Sequence, residues 1–455
     1  MVIRQSRRDF VRRCASAVGG ATLAPRAMAA TTQAAPEGPT TNWAGNYTYS
    51  SKVTNASSID QVQAFVRGQV HMRVLGTRHC FNNIADSTSS LLSVRPMHDV
   101  VALDRDAKTV TVQAGMSYGQ LCPWLHEQGF ALHNLASLPH ISVAGACATA
   151  THGSGVKNGN LATAVSALEI VAADGSILRV SREKDPATFA GCVVHLGALG
   201  ALTQVTLNVQ PTFDVRQDVY LDLPMSAVSD HFEDIMSAGY SVSLFTDWQK
   251  GRVNEVWVKR RIEPGKTLTA ERVFYGAPAA TKDVHPIVEL SAENCTAQMG
   301  VPGPWYDRLP HFKMGFTPSS GKELQSEYFV ARTHAVEAIQ AVERLRDHVS
   351  PHLMITELRT IDGDDLWMST CYKRPSLAIH FTWKQDWAAV SKVLPMIERE
   401  LAAFDVRPHW GKLFTIAPKT LQSRYERCED FKRLVAGHDP KGKFRNAFLA
   451  TNLYG

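Results

Sequence analysis

Apolar and polar positions along this chain recur on two periods, and the periods separate its elements. Between residues 42 and 210, several short runs follow the two-residue alternation of strands. Segments 71–75, 100–103 and 109–113 read as strands, the last two meeting across Asp104-Arg105-Asp106 as a hairpin. Segments 167–172 and 177–180 flank Asp174-Gly175, a turn dipeptide, and 201–209 alternates up to Pro211. Helical spacing appears at 58–66, opened by Ser58, and at 117–126, with Ser117 as cap, Pro123 as a source of a kink and Gly129 as stop. Beyond residue 212 the segments lengthen. Helices are predicted at 337–349 and 388–404, with strand-like runs at 354–359 and 377–383 between them. Residues 405–455 return to Gly, Lys and aromatic residues in loop-like order. The pattern predicts an α+β chain: a first domain over 42–210, a second over 211–404, and a C-terminal segment over 405–455.

Length and composition agree with that division. The chain has 455 residues, 44% of them hydrophobic and 20% charged. That is the composition of a globular protein with room for more than one domain. No run of about 18 apolar residues offers a membrane span. The net charge of +5 sits entirely in residues 1–30, which hold six arginines and one acid, Asp9. The rest is balanced, so nucleic acid and anionic membranes have no electrostatic claim as partners.

The first 30 residues read as a leader. Arg7-Arg8 precede Phe10, a short apolar run extends over 14–24, and Ala27-Met28-Ala29 supplies small residues for cleavage. The paired arginines resemble a twin-arginine export signal, which predicts export to the periplasm or medium after folding. Residues 31–41 form a polar, Pro-containing linker. Seven cysteines remain after such cleavage, an odd number without a C-x-x-C, so neither a disulfide framework nor a zinc site is indicated. Folding in a reducing compartment before export leaves the thiols free.

The motifs exclude several chemistries. No G-x-G-x-x-G follows a strand, and neither a P-loop nor H-E-x-x-H occurs. A single G-x-S-x-G, Gly115 to Gly119, would place Ser117 as a hydrolase nucleophile, though a plain helix cap explains Ser117 equally well. Three small-residue loops remain. The first is Gly76-Thr77-Arg78-His79-Cys80-Phe81-Asn82 at the end of a predicted strand. The second runs from Ser137 through Ser142 and Gly145 to Thr149, His152, Gly153 and Gly155. The third is Gly197-Ala198-Leu199-Gly200. Backbone amides in such loops can face a pyrophosphate, and small residues let backbone approach a flat ligand.

Farther on, Glu357 and Arg359 at i, i+2 share one face of a predicted strand, and His380 and Thr382 repeat the spacing. Lys412 lies in a Gly-containing loop. Ionisable groups in apolar strands are costly unless paired, which suits either a polar pocket or a buried ion-pair network.

Together the loops resemble the FAD-binding domain of the vanillyl-alcohol oxidase flavoproteins. The strings Asn42-Trp43-Ala44-Gly45-Asn46, Leu244 to Trp248, Glu323 to Glu327, Glu357 to Thr360, His380 to Trp383 and His409 to Lys412 resemble the alditol (xylitol) oxidase branch. The resemblance implies a two-domain fold, a PCMH-type FAD domain plus an α+β substrate domain. It implies FAD held by the residues of the three loops, Gly76 to Cys80, Asn82, Ser137, Ser142, Gly145, Thr149, His152, Gly153, Gly155 and Gly200, and by Asn446 in a tail that returns to the first domain. His79 would carry the flavin covalently. Leu138 stands where doubly linked relatives need Cys, and Thr77-Arg78 stand where Ser-Gly is common.

Catalysis is expected from Glu357, Arg359, His380 and Lys412, with Ser137, Gln325 and Thr382 binding substrate. In this reading His380, coupled to Glu357, takes the hydroxyl proton, and small Ala136 lets oxygen reach the flavin. Phe245 and Trp248 read as an apolar wall or as core. The implied reaction takes a terminal primary hydroxyl of an acyclic polyol such as xylitol or sorbitol to the aldehyde, with O2 reduced to H2O2. The alternatives are an aldonolactone oxidase or dehydrogenase of the same family, a silent exported polyol- or flavin-binding protein, and a serine hydrolase.

Overall fold

The computed structural model describes residues 40–263, 265, 270–314 and 322–455. The expected leader and nearly all of the expected linker lie outside the described residues.

Residues 40–211 build two main sheets and a two-residue pairing of Phe130–Ala131 with Gln210–Pro211. Turn chemistry sets the larger one. The Asp104–Lys108 turn joins Val100–Asp104 to Thr109–Gln113, and Asp174-Gly175 joins Val165–Val171 to Ile177–Ser181. Gly175 takes φ +83, and Asp174 Oδ1 accepts from the Ser176 amide at 2.8 Å. Ala201–Asn208 pairs antiparallel between the two hairpins, which completes five strands. A smaller parallel sheet of Val53–Asn55, Leu91–Ser93 and Arg73–Val74 carries the first Gly-rich loop from its last strand. That strand is two residues long, shorter than the alternation at 71–75 predicts. The expected helices form at Ile59–Gly68, capped by Ser58, and at Tyr118–Glu127. Ser117 Oγ and its amide both donate to Gln120 Oε1, at 2.7 and 3.1 Å. The hydroxyl is used in a capping arrangement within a 2%-exposed residue, so the nucleophile alternative fails.

The second half is built on an antiparallel sheet of eight strands, beside a short pair of Val273–Phe274 with Ala277–Pro278. Its order is Gly303–Pro304, Asp214–Pro224, Arg252–Ile262, Ser241–Thr246, Leu353–Ile361, Ser376–Lys384, Glu323–Ala331 and Arg407–Pro408. The strand period sorts its side chains. Leu244, Leu324, Leu358, Ile379 and Phe381 lie in one core with helices Met225–Ser237, Ala335–Glu343 and Trp387–Leu401. Alternate positions on the same strands carry the polar set described below. Both faces are covered, so Ser376–Lys384 is buried at every residue but the last. The helix expected over 337–349 breaks at Arg344-Leu345 into two.

The tail corrects its loop-like composition. Pro418–Ser423, Cys428–His438 and Ala447–Tyr454 are helices. Phe431, Phe444 and Phe448 join the core of the first 210 residues. Asp439 accepts from the amides of Lys443 and Phe444, both at 2.8 Å. The seven described cysteines are all unpaired.

Candidate active site

A cavity of about 300 Å³ lies between the three loops and the polar face of the large sheet. On the loop side it is lined by Gly76 to Phe81, Ala136 to Leu138, Ser142, Gly145, Thr149, His152, Gly197 and Gly200. A methyl group would not fit in this floor. A Cβ on Gly145 would stand 2.8 Å from Ser142 Oγ, and one on Gly197 would stand 2.8 Å from the Arg73 guanidinium. Gly200, at φ +144, would drive a Cβ to 2.3 Å from the Val171 carbonyl. Arg78 holds φ +65, the left-handed slot that glycine fills at little cost; for arginine this stores about 1–2 kcal/mol. Its guanidinium donates to the Thr41 carbonyl at 3.2 Å, and the residue lines the cavity. The loop side also leaves polar atoms without protein partners. Trp43 Nε1, Tyr49 OH and His195 Nε2 are sealed from solvent, lack hydrogen bonds, and belong to residues lining the cavity. A floor of glycines that leaves no room for an added Cβ fits the close approach of a large flat nucleotide such as FAD.

His79 lies in this floor, with its ring centroid 5.4 Å from Trp43 and 4.6 Å from His140. Burial, then the neighbouring His140 and Lys412, pull its imidazole down to about 3. It is therefore neutral at physiological pH, the nucleophilic form.

The sheet side is assembled by register. Phe245, Glu357, His380 and Glu327 are successive cross-strand partners in one row over four strands. Ile355, Thr382 and Gln325 form the next row, and Ser243, Arg359 and Ala378 the row on the other side. Side chains directly across antiparallel strands share a face, so the polar set converges. Arg359 stands between two carboxylates. Its NH2 is 3.0 Å from Glu327 Oε1, its Nε 3.5 Å from Glu357 Oε1, and its NH1 reaches Ser137 Oγ at 3.4 Å. Burial raises both carboxyls, but partners override it. His152 first, and then the more distant His380 and Lys412, hold Glu327 well below the usual range; Arg359 and His311 do the same for Glu357. Lys412 Nζ lies 2.9 Å from His380 Nε2 and donates to Gln325 Oε1. Burial and Lys412 hold His380 well below its ordinary value, so it is neutral.

All seven residues expected to act on or bind substrate line this cavity: Glu357, Arg359, His380, Lys412, Ser137, Gln325 and Thr382. Three details differ from expectation. His380 makes no hydrogen bond to Glu357; its Nε2 meets Gln325 at 3.1 Å and Lys412, while Glu357 is bonded by His311. Gln325 also connects residues, its amide nitrogen donating one hydrogen to Glu323 and its oxygen shared by Lys412 and His380. Trp248 is core, its Nε1 donating to Thr356 Oγ1 at 2.8 Å, whereas Phe245 does line the cavity.

Four residues expected to touch FAD stand behind the lining. Asn82 donates to the carbonyls of Trp410 and Lys412, both at 2.8 Å, and so anchors the lysine loop. Asn446 donates to the carbonyls of Asn83, Ile84 and Asp86 at 2.8–3.0 Å, which anchors the first loop from outside. Gly153 packs against Leu135 and Asn134, and Gly155 donates to the Thr360 carbonyl at 2.8 Å. Sequence reasoning missed Glu327, His311, Lys259 and His409. Glu327 was accessible to it, since 323, 325 and 327 share the i, i+2 spacing used for Glu357 and Arg359.

Comparison with known proteins agrees with this arrangement. An FAD binding domain family matches residues 51–181, and the D-arabinono-1,4-lactone oxidase family matches 317–452. The alditol oxidase of a Streptomyces species is 46% identical over 419 residues, spanning 91% of this chain and 99% of that protein. The L-gulonolactone oxidase of Mus musculus is 25% identical over 441 residues, spanning 91% and 98%. The L-gulono-1,4-lactone dehydrogenase of Mycobacterium tuberculosis is 26% identical over 405 residues, spanning 85% and 91%. The crystal structure of cholesterol oxidase from B. sterolicum superposes with a TM-score of 0.73 at 14% identity, covering 91% of this chain and 96% of that one, a likeness of fold alone. The chain belongs to the alditol oxidase branch of the vanillyl-alcohol oxidase flavoproteins and is an FAD-dependent oxidoreductase.

Proposed function

We propose that the protein oxidises a terminal primary hydroxyl of an acyclic polyol, such as xylitol or sorbitol, to the aldehyde and passes the electrons to O2, which leaves as H2O2. The observation that carries this reading is the buried row Glu357–His380–Glu327, with Arg359, Thr382 and Lys412 around it, facing the small-residue floor. A polyol needs several hydrogen-bond partners in a water-poor site, and this row supplies them. The 46% identical alditol oxidase supports the same substrate class.

Bound FAD supplies the hydride acceptor. The chain's own residues must then remove the hydroxyl proton as hydride leaves carbon. Neutral His380 fits that task. Lys412, as an ammonium 2.9 Å away, donates to His380 Nε2, so the ring proton sits on Nδ1 and Nε2 receives the hydroxyl proton when the substrate hydroxyl replaces Lys412 as its partner. Glu357 and Thr382 take neighbouring hydroxyls, Ser137 another, and the cations Arg359 and Lys412 offset the negative charge that develops on oxygen. His79 carries the flavin covalently, with its neutral ring as nucleophile, and Ala136 keeps the loop side small for oxygen. The leader directs twin-arginine export to the periplasm or medium; unpaired buried cysteines support folding in a reducing compartment first.

A second reading, oxidation of an aldonolactone, is favoured by the match of 317–452 to the lactone oxidase family. Steady-state assays separate the two. Xylitol and sorbitol should release equimolar peroxide and an aldose, and L-gulono-1,4-lactone should release little. Faster turnover of the lactone would install the second reading instead.

A further inference from the structure

The polar row leaves a question about Glu357. It is 5% exposed, on a strand, and one of its oxygens must be free if it is to meet a substrate hydroxyl. The partners behind it come from two other elements. Lys259, on Arg252–Ile262, is 1% exposed and has no carboxylate at bonding distance among the described residues. Its Nζ lies 2.6 Å from the Leu309 carbonyl, 2.9 Å from the Pro310 carbonyl and 3.2 Å from His311 Nδ1. His311 Nε2 in turn lies 2.7 Å from Glu357 Oε1.

Hydrogen counting fixes the polarity of this chain. An ammonium has three hydrogens and no lone pair, and here it has three acceptors. His311 Nδ1 must therefore be the acceptor, so the ring proton sits on Nε2 and is donated to Glu357. Glu357 Oε1 is thereby occupied. Its Oε2 has no hydrogen-bond partner among the described residues and is not sealed from the cavity that Glu357 lines. The backbone of the same segment is tied to the opposite wall, because the amides of His311 and Phe312 both donate to the Ser137 carbonyl, at 3.2 and 3.3 Å. Rings of Phe245 and Trp257 stand edge-on to His311 at 5.5 and 5.2 Å and prevent it from turning.

We propose that Lys259 and His311 are positioning residues that lock Glu357 in one orientation, with Oε1 held from behind and Oε2 presented to the substrate. Lys259 stands outside the cavity lining; His311 reaches the lining, with its Nε2 spent on Glu357. Lys259 sets the tautomer of His311, and His311 sets the rotamer of Glu357. Partners hold Glu357 well below the usual carboxylate range, so it can only accept from His311 Nε2, and this polarity holds in either form of Lys259, which burial pushes down to about 7 against the pull of Glu357. The inference rests on the reading of Glu357 as a substrate-facing group.

The test compares wild type, Lys259→Met, His311→Leu and His311→Gln as FAD-loaded full-length proteins, by stopped-flow reduction of the flavin under anaerobic xylitol. Glutamine can offer an oxygen toward Lys259 and an N–H toward Glu357, the same polarity as the locked imidazole. Lys259→Met and His311→Leu should reduce at one-tenth of the wild-type rate or less, with the dissociation constant for xylitol within threefold. His311→Gln should recover to within threefold of wild type. Wild-type rates in His311→Leu, or His311→Gln no faster than His311→Leu, would overturn the proposal. If Lys259→Met fails to retain flavin, the His311 pair decides alone. If xylitol leaves the wild-type flavin oxidised, the polyol reading fails, and the same ratios are measured with L-gulono-1,4-lactone.

Discussion

Glu327 offers the sharpest stability test, because its carboxylate is bonded by both Arg359 and His152 and its residue is 2% exposed. Replace it by Gln, which keeps shape and removes charge. The Arg359 contact at 3.0 Å is worth about 5 kcal/mol at an effective dielectric of about 20. Sparing Glu327 its desolvation returns several kcal/mol, and the amide oxygen can still accept from His152. Breaking one side of a buried pair nets a loss of roughly 3–5 kcal/mol. In a chain of this length, with about 2.1 cal/mol/K of unfolding entropy per residue, that lowers Tm by about 3–5 °C. The matching control is Glu400→Gln, which removes an exposed partner of Arg344 at 3.1 Å and should cost under about 1 kcal/mol. Arg359, released on one side, should also swing toward Glu357 and away from Ser137, slowing flavin reduction at least tenfold. The assay is a thermal melt of each holoprotein with anaerobic stopped-flow on the same sample. Glu327→Gln melting together with Glu400→Gln and reducing at the wild-type rate would refute the reasoning.

Further outcomes follow from the same geometry. In His79→Ala the flavin should wash off the denatured chain, whereas wild type keeps it; flavin retained by denatured His79→Ala would place the link elsewhere. Because His380 is held well below its ordinary value, it stays unprotonated as pH falls through about 6.5. His380 should therefore add no step to the pH profile of flavin reduction between about pH 6 and 8, and a step near pH 7 that disappears in Lys259→Met belongs to Lys259. An inflection near 6.5 assigned to His380 by its loss in His380→Gln would contradict that. Asn446→Ala removes three carbonyl contacts and the cap on the Leu449 amide, so it should cost about 2 kcal/mol in urea unfolding and speed release of flavin in His79→Ala; unchanged values would show that the tail does not brace the first loop. Ser117→Ala should lose about 1 kcal/mol of stability and no activity, and a serine-directed phosphonate should not label wild type.

The legible parts of the chain were those where local chemistry and tertiary demand coincide. Asp174-Gly175 and Asp104 to Lys108 dictate hairpins that the sheet then uses. The runs at 353–361 and 376–384 are apolar enough to be strands, and their odd polar residues mark the cavity face. Lys259 carries the same signal, since 255, 257 and 259 alternate polar and aromatic residues inward, but a lone lysine in Lys-Arg-Arg reads as a surface charge. His311 lies in an irregular segment with no period to read. The tail helices are 6, 11 and 8 residues long, and the helical spacing of Cys428, Phe431 and Val435 is diluted by surrounding charge. Asn82 and Asn446 belong to loops that meet the cofactor, yet residue type alone does not tell a ligand from the brace behind it.

The most direct measurement is an anaerobic titration of the purified protein with xylitol, following the visible flavin band, and then admission of air. The account predicts that the band bleaches to completion and returns rapidly, with one peroxide per flavin. A band that no acyclic polyol bleaches, while an aldonolactone does, would contradict it.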